Sequence, residues 1–136
     1  MTDVHTPLQR SKNMAAIKSK NTSPELRVRS CLHRMGFRFS LHRRELPGRP
    51  DIVLRTRKKV IFVHGCFWHM HTCRHGRVKP ASNAAFWHKK RSGNVERDRR
   101  NQRELRKLGW GVLTIWECSI SDEDKLKSKL AKFLED

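Results

Sequence analysis

The sequence predicts a mixed α/β domain in which one sheet is flanked by helices. Three observations carry that expectation. Asp51–Leu54 and Val60–Val63 are short apolar runs bounded by turn residues, as strands covered on both faces are. Val28, Cys31, Leu32 and Met35 fall at the i, i+3, i+4, i+7 spacing of one helical face. Leu126, Leu130, Phe133 and Leu134 make a similar face near the end of the chain.

Taken in order, residues 1–22 read as a basic arm. Ser11 caps a short helix there that carries Met14, Ala15, Ala16 and Ile17 among Arg10, Lys12, Lys18 and Lys20. Residues 23–136 read as a single domain. Ser23 is the expected N-cap of its first helix, Pro24 suits the first helical position, and Gly36 ends it. Phe37, Phe39 and Leu41 alternate with polar residues, which predicts a half-buried strand. The turn Pro47-Gly48-Arg49-Pro50 leads into the strand at Asp51–Leu54, and Thr56–Lys59 turns the chain into the next at Val60–Val63. Residues 66–83 read as irregular. Two helices are expected next, over 84–91 and 95–108, the second closed by Gly109. A strand over 110–116 and the final helix complete the domain.

The chain has 31 Lys plus Arg against 13 Asp plus Glu, a net charge of +18 on 136 residues. Such a field attracts polyanions and opposes compaction, so nucleic acid is the leading partner and a ribosomal-type basic protein the bland alternative. Six of the 13 acids fall in the last 20 residues, leaving 27 positive and 7 negative charges on residues 1–116. The C-terminal segment is therefore expected away from the nucleic acid. With 36% hydrophobic and 32% charged residues the chain can bury one modest core. That excludes a multidomain enzyme. No apolar run approaches the roughly 20 residues that span a bilayer, and no signal peptide is evident, so a cytoplasmic protein is expected.

In a cytoplasmic protein the four cysteines read as metal ligands or core residues rather than disulfides. Cys31 lies on the apolar helix face and reads as core. Cys66-Phe67-Trp68-His69-Met70-His71-Thr72-Cys73 packs two thiols and two imidazoles into eight residues, and Cys118 lies at the end of a distant strand. Cys66, His71, Cys73 and Cys118 are the expected tetrahedral set of a structural zinc site, which leaves His69 over and keeps no position open for catalysis.

Pro50-Asp51 puts a carboxylate at the mouth of an apolar strand, where it can hold Mg²⁺ beside a scissile phosphate. The common nuclease pattern would place an acid and a lysine on the next strand, but that strand reads Phe62-Val63-His64. His69 is the replacement as general base, because an unperturbed pKa of about 6.5 suits proton transfer near neutrality. Aromatic residues sit among basic ones: Phe67 and Trp68, then Phe86 and Trp87 before His88-Lys89-Lys90-Arg91. Exposed rings can wedge between bases. A loop crowded by metal ligands has little room for two consecutive large rings, so at least one of Phe67 and Trp68 is expected to be exposed, while Phe86 reads as core.

Ser11-Lys12-Asn13-Met14, Leu46-Pro47-Gly48-Arg49-Pro50-Asp51, His64-Gly65-Cys66-Phe67-Trp68-His69, Asn94-Val95-Glu96-Arg97-Asp98-Arg99-Arg100 and Trp116-Glu117-Cys118 together resemble the bacterial very short patch repair (Vsr) endonucleases. The resemblance implies a restriction-endonuclease-like fold with a structural zinc. It implies an enzyme that nicks one strand of duplex DNA 5′ of the thymine in a T·G mismatch left by deamination of 5-methylcytosine. Asp51 would bind Mg²⁺ together with the backbone carbonyl of Val63, and His69 would be the general base. Glu25, His64 and Asp98 would hold metal-bound waters. Phe67, Trp68 and Trp87 would wedge into the duplex, Met14 would reach across the minor groove, and Lys90 and Asn94 would approach the mispair. Residue 63 is Val here where a family member has a hydroxyl, so its role rests on the backbone. Further partners implied are the mismatch-repair matchmaker protein and a repair polymerase, with the enzyme a monomer at the nucleoid. The rivals are a zinc-stapled DNA-binding protein without turnover and a restriction-type nuclease that cuts both strands of matched DNA.

Overall fold

The computed structural model describes residues 22–74, 76–77, 79 and 82–135; the expected arm with its Ser11 cap and Met14 lies outside them. Helix α1 spans Ser23–Arg34 and β1 spans Ser40–Leu41. Strands β2 (Ile52–Leu54) and β3 (Lys59–His64) follow. Helix α2 covers Ala84–Lys107, β4 covers Gly111–Trp116, a 3₁₀ turn covers Glu117–Ser119, and α3 covers Glu123–Glu135. No described helix is long and apolar enough to cross a membrane.

The four strands form one sheet in the order β1-β2-β3-β4, antiparallel at the first two pairings and parallel between β3 and β4. Alternation along the strands gives the sheet two apolar faces. Ile52, Leu54, Ile61 and Ile115 meet Val28, Cys31 and Leu32 of α1 and Leu126, Leu130 and Leu134 of α3. Val53, Val60 and Phe62 point the other way and pack on Leu105 of α2. The expected mixed sheet flanked by helices is therefore present, as three layers with α2 alone on its own face.

Local chemistry explains where the elements depart from expectation. The N-cap of α1 is Thr22 rather than Ser23: its hydroxyl accepts from the Glu25 amide at 3.4 Å, and Ser23 and Pro24 lie inside the first turn. The strand expected over 37–41 shrinks to Ser40–Leu41. Phe37 cannot join it, because its amide closes the end of α1 on the Leu32 carbonyl at 3.0 Å while Gly36, at φ 88°, turns the chain. The two helices expected between residues 84 and 108 are one. A glycine inside a helix costs about 1 kcal/mol relative to alanine, and the contacts described below hold α2 on both sides of Gly93. Gly109 ends that helix as expected, with the Trp110 amide on the Leu105 carbonyl at 3.0 Å.

Candidate active site

Strands β3 and β4 end side by side, with His64 opposite Trp116. Beyond His64 the chain folds into a tight loop in which the His69 amide donates to the Gly65 carbonyl and the His71 amide to that of Cys66. Beyond Trp116 the 3₁₀ turn carries Cys118. The two strand ends thus bring Cys66, His71, Cys73 and Cys118 together, with one ligand atom from each lying within 4.8 Å of all the others. The Cys118 amide donates to the Cys66 sulfur at 3.4 Å, and the His71 ring stacks on Trp116 with 4.1 Å between centroids. Burial pushes the Cys66 thiol up to about 12. A solitary thiolate is disfavoured there, whereas one neutralised by a metal is not. The donor set and its closeness fit a Cys/His metal site, as the sequence predicts.

A second group lies on the same sheet edge. His69 Nδ1 is 2.5 Å from Asp98 Oδ2, and His64 Nε2 is 3.8 Å from Asp98 Oδ1. His64 is 5% exposed, and its Nδ1 is buried without a hydrogen-bond partner. Burial first, then the neighbouring His69, lower the His64 pKa to about 3, so this ring is neutral. A neutral imidazole with an unpaired buried nitrogen is suited to hold a water molecule. With Nδ1 of His69 engaged by Asp98, its Nε2 is the atom placed to take a proton.

The third group is Glu25, His42 and Asp51. Glu25 is 2% exposed and is neutralised by an ion pair with Arg29 and by His42 Nε2 at 3.0 Å. Asp51 Oδ2 accepts the Val63 amide at 2.7 Å, while Asp51 Oδ1 is 3.9 Å from His42 Nε2. Burial raises the Asp51 pKa, opposed by the Val63 hydrogen bond and by the charges of His42, His69 and Arg29. This desolvated carboxylate, partly offset by its surroundings, fits a hard divalent cation. The charge of His69 is among those that act on Asp51, and Asp51 is bonded to Val63, the residue before His64, so the third group lies near the second. The turn that delivers Asp51 is pressed on α2: a Cβ on Gly48, at φ 75°, would come 2.9 Å from the Asn101 Cβ.

Sequence reasoning missed His42 and Arg29. No spacing announces His42, which stands between Leu41 and Arg43 and is brought to Glu25 by a left-handed backbone at φ 47°. Arg29 is four residues from Glu25 on α1, a spacing that could have found it.

The aromatic expectation needs correction. Trp68 is 8% exposed and Phe67 half-buried, so neither ring stands out from the loop. They find room by packing on each other, with centroids 5.2 Å apart, and against Trp87 at 5.9 and 5.5 Å. Phe86, read as core, is the exposed ring at 57%, with the Lys90 ammonium 5.7 Å from its centroid. Asn94 donates its side-chain amide to the Trp68 carbonyl at 2.9 Å.

Comparison with known proteins fits this geometry. A model of the family described as DNA mismatch endonuclease Vsr matches residues 2–75. The type II nicking enzyme V.XorIIP of Xanthomonas oryzae pv. oryzae is 47% identical over 135 residues, which cover 99% of this chain and 98% of that protein. The DNA mismatch endonuclease Vsr of Escherichia coli K12 is 48% identical over 126 residues, 93% of this chain and 80% of that protein. Among solved structures, the catalytic domain of the homing endonuclease I-Bth0305I superposes with a TM-score of 0.58 at 29% identity, covering 83% of this chain and 94% of that domain. With its sheet, its carboxylate–histidine cluster and its Cys/His loop on one edge, the chain belongs to the Vsr family of DNA mismatch endonucleases.

Proposed function

We propose that this endonuclease nicks one strand of duplex DNA 5′ of the thymine in a T·G mismatch, the first step of very short patch repair. The observation that carries the reading is the contact of His69 with Asp98 near the half-buried carboxylate of Asp51, next to the Phe67–Trp68–Trp87 cluster.

In this reading Asp51 and the backbone carbonyl of Val63 would hold Mg²⁺, which would supply charge neutralisation at the scissile phosphate and polarise the attacking water. His69 Nε2 removes the proton from that water, and Asp98 keeps the ring in the tautomer that can do so. Glu25 and His64 orient water at the Asp51 carboxylate, His64 through its unpaired Nδ1. Cys66, His71, Cys73 and Cys118 would hold zinc, which would fasten the loop to the end of β4 and leave no open position for the chemistry. The half-buried rings Phe67 and Trp87, backed by the buried Trp68, open the base stack at the mispair. Mismatched steps unstack at lower cost, so a wedge also discriminates. Lys90 and Asn94 approach the mispair, and Met14 reaches the minor groove from the N-terminal arm. The mismatch-repair matchmaker and a repair polymerase act with it in the bacterial cytoplasm.

The test is nicking of a labelled duplex that bears one T·G mismatch, against its matched partner, with Mg²⁺ and with chelator. Metal-dependent nicking 5′ of the thymine on the mismatched duplex alone is the expected outcome. Equal cutting of both duplexes would point to a restriction-type enzyme, and binding without turnover to a zinc-stapled DNA-binding protein.

A further inference from the structure

Arg91 is a charged side chain in an unusual place. It lies two turns into α2, is 4% exposed, and belongs to none of the three clusters described above. Burying a guanidinium is costly unless its donors are used. Here Nε donates to the Phe67 carbonyl at 2.7 Å and an Nη to the Gly76 carbonyl at 2.6 Å. The guanidinium carbon also stands 4.1 Å from the centroid of the Phe67 ring, a cation–π distance. One planar fork therefore grips both ends of the segment from Phe67 to Gly76, which contains His69 and two of the four Cys/His ligands.

The far end of that grip is closely packed. Gly76 lies so close to His71 that a Cβ on it would come 1.9 Å from the His71 carbonyl oxygen. Arg91 thus holds a backbone that is itself pressed on a Cys/His ligand. The near end carries Phe67, whose ring meets Trp68 and Trp87. Three positions of α2 at seven-residue intervals share this face of the helix: buried Arg91 on the loop, half-buried Asp98 on His69, and buried Leu105 in the sheet core. Asn94 adds its bond to the Trp68 carbonyl on the same side.

We propose that Arg91 is a positioning residue: by clamping Phe67 and Gly76 it presets the aromatic cluster and His69 for the mismatched step, a role separate from ligating a metal at the Cys/His set. The inference rests on the reading that this loop meets the reacting phosphate. Lysine cannot replace the clamp fully, because an ammonium lacks the planar fork that reaches two carbonyls while lying flat on a ring.

The test compares wild type with Arg91→Gln and Arg91→Lys on three readouts: zinc content, acrylamide quenching of tryptophan emission, and single-turnover nicking of the T·G duplex beside binding to it. Arg91→Gln is expected to keep its zinc and to bind DNA within a few-fold of wild type, with more of its emission open to acrylamide and nicking at saturating enzyme slowed by about tenfold or more. Arg91→Lys should fall between. A residue that served stability alone would lower Tm without slowing nicking at saturation. An unchanged single-turnover rate in folded Arg91→Gln overturns the proposal, and so does loss of zinc together with activity, because the clamp and the metal would then be one device. If Arg91→Gln does not fold, wild-type rate and quenching in Arg91→Lys overturn it. If wild type nicks neither duplex, the mismatch reading fails, and the clamp is judged on quenching alone, where unchanged accessibility overturns it.

Discussion

The ring of His64 lies flat on that of His69, with 3.8 Å between centroids and 3° between planes. Two imidazolium ions at that separation would repel strongly, so the pair accommodates one charge. Burial keeps a charge off His64, while His69 makes the contact with Asp98. The stack therefore gives two chemically identical side chains different surroundings, one buried and neutral, the other in contact with a carboxylate.

That arrangement makes Asp98 more than a neighbour. Asp98→Asn keeps the shape of the site but replaces the carboxylate that contacts His69 Nδ1 by a neutral amide, which can donate as well as accept. Nicking by this variant is expected to fall by about tenfold to a hundredfold, the usual cost of losing a carboxylate behind a functional histidine. Single-turnover rates with DNA binding measured alongside check it, and an unchanged rate would remove Asp98 from the reaction.

Asp51→Ala and His69→Ala should each abolish detectable nicking while DNA binding persists. Loss of a general base alone costs about 10²–10⁴ in rate. Asp51→Ala further removes the carboxylate that fits the cation. Full activity in either variant would sink the assignment, and gel-shift binding beside the nicking assay separates chemistry from affinity.

Cys118 is exposed, yet its ligand atom lies with those of Cys66, His71 and Cys73. Cys118→Ser should lose bound zinc and melt at lower temperature, because a closed metal site contributes folding free energy. Metal analysis of the purified variant and thermal denaturation with and without chelator test this. Full zinc content in Cys118→Ser would remove that residue from the ligand set.

Leu105 is fully buried and fixes α2 to the sheet through Val53, Val60 and Phe62. Leu105→Ala is expected to cost about 2–5 kcal/mol, measured as a reduced midpoint in urea. A loss below about 1 kcal/mol would show that α2 is held mainly at its other end, by Asn94 and Arg91.

Much of this molecule was legible because its signals are local. The apolar stripe from Val28 to Leu32, the paired runs around Ile52 and Ile61, and the crowding of Cys66, His71 and Cys73 can be read from spacing alone. Cys118 could be added because a strand end supplies what the loop lacks. The unity of α2 was not legible: Gly93 weakens the local pattern, and the contacts that carry the helix across it, from Asn94 and Asp98, are tertiary. The same reason hid the burial of Trp68. Room for that ring comes from Trp87 and the grip of Arg91 on Phe67, none of it visible in the loop's own residues. His42 was hidden by a backbone conformation that side-chain patterns do not encode.

The parallel pairing of β3 with β4 also sets how this protein can tolerate change. Val63 stands opposite Ile115 and His64 opposite Trp116, with Cys66 and Cys118 each two residues beyond. Each residue of a strand advances the chain by about 3.3 Å and reverses the side on which the next side chain emerges. Exchanging one β-branched residue for another along β4 leaves these distances alone. A single deletion there would draw Cys118 back by most of the width of the ligand cluster and turn Ile115 out of the core. Variation in this strand is thus open to replacement and closed to changes of length, a constraint of phase rather than of chemistry.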